Sequence, residues 1–135
     1  MKVSIAAQVF SHSVASVMQL LSKVNLPLSE NNLDASGSQT AEVLKFFDKL
    51  FDSVNGNTLF PKNGKILKCA VSSSSGHVMF WREARNHLKN MYFVNVISKE
   101  EMVPPSLKNW IRTLAGMEEL LKILKENNIT FLGLK

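Results

Sequence analysis

Phe46-Phe47-Asp48-Lys49-Leu50-Phe51-Asp52-Ser53-Val54-Asn55-Gly56 is the stretch whose periodicity decides the fold class. Phe46, Phe47, Leu50, Phe51 and Val54 recur at helical spacing and predict one apolar helix face. Asn55-Gly56 predicts the stop, because both residues tolerate a left-handed backbone. Asp52 and Asn55 stand three residues apart, a spacing that puts both on one side of a last helical turn. A carboxylate and an amide beside an aromatic ring can grip a flat polar ligand such as a purine base. The same residues also read as an ordinary polar helix terminus, and the spacing leaves both readings open.

The same period extends to either side. Lys2 to Val24 predicts a long helix with Val3, Ala6, Phe10, Val14, Val17, Met18 and Leu21 on one face. Its other face is polar and almost uncharged, which suits packing against something polar. His12 lies there without a second His or Cys at i+4, so it makes no metal pair. Pro27 ends this helix, Ser29 to Gln39 reads as a loop, and Thr40 is placed to cap the next helix. His77 to Met91 predicts a third helix, with Arg82, Arg85 and Lys89 as basic residues. Ser106 to Asn127-Asn128 predicts a fourth, weakened at Gly116, the place where it can split. Tyr92 to Ile97 has strand-like composition but is read as helix end or linker, and Ile66 to Val71 as extended loop. With no confident strand, the class is all-α, an irregular bundle of about four to six helices.

Composition narrows function less than fold. The 45% hydrophobic and 20% charged content of 135 residues predicts one globular domain with a core. A net charge of +5 permits an anionic partner without requiring one. The single cysteine, Cys69, excludes an internal disulfide framework and a cysteine-rich zinc site. No apolar stretch is long enough to span a bilayer, and polar residues interrupt any signal sequence near Lys2. Gly64-Lys65 fails as a phosphate loop: Leu59 stands where glycine is needed, and Ile66 follows the lysine. Lys62, Lys65 and Lys68 still form a basic patch able to meet phosphates, or simply a solvated loop. No paired carboxylates, metal cluster or nucleophile–base set appears, so no catalytic residue is expected. Ile129 to Leu134 is an apolar run that should lead onward, so the chain reads as a fragment.

Three segments, in order, resemble the P-element transposase family and its THAP-domain relatives. Lys2 to Ala15 (KVSIAAQVFSHSVA) is similar to the family's MKVxLAAQVFSxSVA entry segment. Phe46 to Asn55 is similar to its FxxxxNxLFDxxNS helix, with Lys49 in place of the asparagine before Leu50-Phe51-Asp52. Pro105 to Leu134 is similar to its PSLxGWxxTIxxLxxLxxxLKxxGxxFLxT segment.

The resemblance implies that residues 1–135 are a single GTP-binding insertion domain, mostly helical, of an RNase H-like transposase. The flanking catalytic segments, whose acidic residues and magnesium cut and join DNA, would lie outside this chain. It further implies that Phe51, Asp52 and Asn55 belong to the guanine site, with Lys2 and Val3 near the nucleotide. One carboxylate, that of Asp52, can accept from both N1–H and the exocyclic amine of guanine, a donor pair adenine lacks. Phe51 can stack on the base. The expected partners are GTP and, through the intact protein, transposon-end DNA, with homo-oligomerisation of the parent left open. Magnesium belongs to the intact transposase, with no ligand for it in this chain. The location implied is nuclear. The alternative is a degenerate or domesticated fragment that acts as a DNA- or protein-binding helical module, for which the basic third helix speaks.

Overall fold

The computed structural model describes residues 8–24, 33–61 and 64–134. They divide into two compact units, Met1–Val54 and Asn55–Lys135. Four α-helices dominate the described residues, and the only paired strands among them are two residues long. The all-α reading therefore holds.

In the first unit, α1 (His12–Leu21) packs on α2 (Gly37–Ser53). The single helix expected from Lys2 to Val24 is interrupted. Ser11 has an extended backbone (φ −82°, ψ 150°), and its hydroxyl accepts the Val14 N–H at 3.3 Å. A serine that caps the following turn cannot also continue the preceding one. Ala15 of α1 is fully buried against Ala41 and Leu44 of α2, with Phe10 and Met18 packed alongside. Phe10 meets Phe47 edge-on at 5.8 Å, and Phe46 meets Phe47 at 5.3 Å. Lys45 of α2 donates to the Gln19 side chain of α1, so the uncharged polar face of α1 does find a polar partner. Helix α2 begins one turn before the expected Thr40 cap. There Asp34 accepts the Ser36 N–H at 2.7 Å through its carboxylate and the Gly37 N–H at 2.8 Å through its carbonyl. That Asx turn supplies the nucleus that Thr40 was expected to provide.

In the second unit, α3 (His77–Lys89) packs on α4 (Pro105–Glu126). Phe80, Trp81, Ala84 and Leu88 are the buried stripe of α3; Leu107, Leu114 and Leu121 are that of α4, seven residues apart. Pro104 is extended and Pro105 occupies the first helical position, where its missing N–H costs nothing; Ser106 lies inside the helix and is not its cap. Gly116 does not split α4, which runs unbroken through it. The C-terminus forms where Asn127-Asn128 predicted it. Asn128 is left-handed (φ 60°), its N–H bonds Lys125 O at 3.0 Å, and Ile129 N–H bonds Leu124 O at 2.9 Å. Those two bonds make a Schellman closure.

Between α3 and α4 the strand-like composition of Tyr92 to Ile97 is realised after all. Strands β1 (Phe93–Val94) and β2 (Glu101–Met102) pair antiparallel, Phe93 opposite Met102 and Val94 opposite Glu101. The Asn95 side chain closes the turn by accepting from the Ile97 and Ser98 amides at 2.9 and 3.1 Å. A local asparagine turn supplied the partner strand that the composition alone did not reveal. Val71 and Leu132 form an isolated antiparallel bridge. No helix among the described residues is long and apolar enough to cross a membrane.

Candidate functional site

The predicted site residues fall at the end of α2 and just beyond it. Phe51 and Asp52 lie in its last turn. Phe51 was expected on the buried face, yet it is 40% exposed, while Leu50 beside it is fully buried. Asp52 is the inward residue, 9% exposed. Adjacent helical residues point about 100° apart, so burying Leu50 and Asp52 turns the ring of Phe51 outward. Asn55 is exposed and lies beyond the C-cap Val54, not on a common helical turn with Asp52. Lys2 and Val3 lie outside the described residues, as does Lys62 of the basic loop. Within that loop Lys68 is exposed and Lys65 half-buried.

The stop after α2 works differently from the expectation. Neither Asn55 nor Gly56 has a positive φ; the glycines that do are Gly64 and Gly76. Gly56 is needed for space. A Cβ there would overlap the backbone N, C and O of Cys69. Its carbonyl accepts the Leu134 N–H at 2.8 Å, and the Ala70 N–H bonds Thr58 O at 2.7 Å. The turn after Asn55 is thus built on contacts far along the chain, which no local pattern encodes.

Two buried polar groups of the second unit were not foreseen. His77, fully buried at the start of α3, has Nε2 3.0 Å from the Leu67 carbonyl and Nδ1 2.8 Å from the Ser75 hydroxyl. A carbonyl only accepts, so Nε2 carries the proton. Burial pushes the imidazole below its usual pKa, against the opposing hydrogen bonds to Leu67 and Ser75. Glu118 of α4 is also buried. It accepts from Arg82 Nε at 2.7 Å, from Arg82 Nη2, and from Arg85 Nη2 at 2.6 Å. The Arg82 hydrogen bond first, then the charges of Arg82, Arg85 and Lys122, hold the Glu118 carboxyl below its ordinary range against burial. The basic exterior expected of the third helix is therefore partly neutralised. The signal was present as Arg82 and Arg85 on one helix and, on another, Glu118 at helical spacing from Leu114 and Leu121 and so on their face. A concavity of about 500 Å³ lies beside the start of α3, lined by Ser72, Ser73, Gly76, Met79, Arg82 and Asn86. It contains none of the predicted site residues. Among the described residues, no three His, Cys, Asp or Glu stand together as a metal cage.

Among known families, the TNP-like, GTP-binding insertion domain matches residues 1–69. That is half of the chain, and it includes α1, α2 and the Phe51–Asp52–Asn55 group.

The chain belongs to the family of TNP-like GTP-binding insertion domains.

No curated protein and no solved structure matches the chain. Membership agrees with the resemblance to P-element-like transposases carried by the entry segment and by the α2 segment. In this TNP-like domain the family match ends at Cys69, inside the second compact unit and fourteen residues past its start at Asn55.

Proposed function

We propose that this insertion domain holds the guanine base of GTP at the end of α2. Asp52 accepts from N1–H and the exocyclic amine, Phe51 stacks on the ring, and Asn55 adds a polar contact. Lys2 and Val3 lie along the same nucleotide. The observation that carries this reading is the family match over residues 1–69 together with an exposed Phe51 ring next to the inward Asp52 carboxylate. Guanine presents two hydrogen-bond donors side by side, which one carboxylate can accept together. The limited exposure of Asp52 suits contact with the edge of a base rather than with a bulky group.

In the intact transposase, GTP bound in this way positions the nucleotide and a transposon DNA end for cut-and-paste transposition in the nucleus. Magnesium and the acidic catalytic residues belong to the parent enzyme. Hydrolysis of GTP is not part of this reading: the sequence has no phosphate loop and offers no general base. The alternative, a DNA- or protein-binding helical module, loses much of its motivation because Arg82 and Arg85 are engaged by Glu118.

Asp52→Asn tests the reading. Replacing two charge-assisted hydrogen bonds should weaken GTP binding by about ten- to a hundredfold in calorimetry. The variant should gain affinity for xanthosine triphosphate, whose edge matches an amide. Unchanged GTP affinity removes Asp52 from the site.

A further inference from the structure

We infer that the C-terminal segment Leu132–Leu134 positions the Asn55–Gly56 turn, so that seating of this segment and nucleotide binding at Asn55 are coupled. The inference rests on the guanine-nucleotide reading above and assigns positioning residues that the family match, which ends at Cys69, does not include.

Two amides of the segment reach back to two separate stretches of loop. The Leu134 N–H bonds the Gly56 carbonyl at 2.8 Å. Leu132 exchanges both bonds with Val71, its N–H to Val71 O at 2.9 Å and its carbonyl to Val71 N–H at 2.8 Å. Amides two residues apart in an extended chain point the same way, so one short segment laces Gly56 and Val71 together. Gly133 passes Asn57 closely enough that a Cβ on it would lie 3.7 Å from the Asn57 Cα. From the other side Gly56 is pressed onto the Cys69 backbone, which leaves no room for a side chain. Gly56, the residue after Asn55, is thereby held at its Cα by the Cys69 backbone and at its carbonyl, in the Gly56–Asn57 peptide, by the Leu134 N–H. Neither contact is local in sequence, and removing the Leu134 bond frees the carbonyl of the residue next to Asn55.

Coupling of this kind is reciprocal. If the seated segment favours the arrangement of Asn55 that binds nucleotide, bound nucleotide must favour the seated segment. The Schellman closure of α4 ends at Ile129, and only Thr130 and Phe131 separate it from Leu132. The tether is too short to absorb much movement, so displacement of the C-terminal segment is transmitted to Gly56 rather than lost in slack.

Amide hydrogen exchange in the 135-residue chain tests this directly. Saturating GTP should slow exchange at Leu132 and Leu134 by about five- to tenfold, and ATP at the same concentration should leave it unchanged. Leu134→Pro, which has no N–H, should weaken GTP binding by about five- to tenfold, while Leu134→Ala, which keeps the donor, should bind as the parent does. An equal loss in both variants, or exchange that ignores bound GTP, overturns the inference. Should Leu134→Pro fail to fold, the exchange measurement on the unsubstituted chain decides alone. A chain that binds no GTP at all overturns the nucleotide reading and the inference with it. Binding without an exchange response overturns the inference only.

Discussion

His77 is sealed into the first turn of α3 with a backbone carbonyl on one ring nitrogen and a hydroxyl on the other. Burial lowers its folded-state pKa below the ordinary 6.5, so the unfolded chain binds a proton more readily than the folded one. The stabilising contribution is complete above the unfolded value and is lost as pH falls through the folded one. Glu118 follows the same sign from its ordinary 4.5, because its folded pKa is also depressed, chiefly by the Arg82 hydrogen bond. Two windows are therefore expected. Urea midpoints should fall first below about pH 6.5, on account of His77, and again below about pH 4.5, on account of Glu118. His77→Gln should flatten the first window and leave the second. Equal slopes in parent and variant between about pH 7 and pH 5 would remove His77 from this account.

Helix α4 shows how element-level patterns behave. Its leucines at 107, 114 and 121 keep one stripe buried over 22 residues, and the two asparagines end it by a local closure. Gly116, read from sequence as a weak point, is exposed in the middle of that helix with open space where a Cβ would go. Packing along both neighbouring turns carries the helix past its entropic cost. Gly116→Ala should therefore stabilise the chain by about 0.5–1 kcal/mol, seen as a raised urea midpoint at unchanged slope. In α1 the balance runs the other way: helical periodicity crosses Ser11, but the serine side chain finds a better partner in Val14 N–H and restarts the helix. Periodicity reports which face is apolar. It does not report a break made by one side chain.

At the scale of the molecule, the family match and the compact units have different boundaries. Residues 55–69 match the family with α1 and α2, yet Gly56 O accepts from Leu134, Thr58 O from Ala70 and Leu67 O from His77. A fragment ending at Cys69 loses every one of those partners. Limited proteolysis should accordingly cut a 1–69 fragment readily between Asn55 and Cys69, while the 1–135 chain resists there. Equal resistance would show that the first 69 residues complete their own fold.

The sequence by itself determined the all-α class, the buried stripes of α3 and α4, the asparagine closure of α4 and the family, because each rests on local spacing or on a short ordered motif; the stripe expected on α1 was displaced, with Val14, Val17 and Leu21 exposed and Ala15 buried. It also placed Phe51, Asp52 and Asn55 as the group to watch. Only the tertiary structure decided that Phe51 turns outward while Asp52 turns in, that Gly56 serves a close backbone approach rather than a left-handed cap, and that Glu118 takes both arginines of α3. Each of those outcomes depends on partners between 13 and 78 residues away along the chain, or on which of two adjacent positions a neighbouring element covers. Burial and pairing of that kind are set by packing free energy summed over the whole unit, which no window of a few helical turns contains.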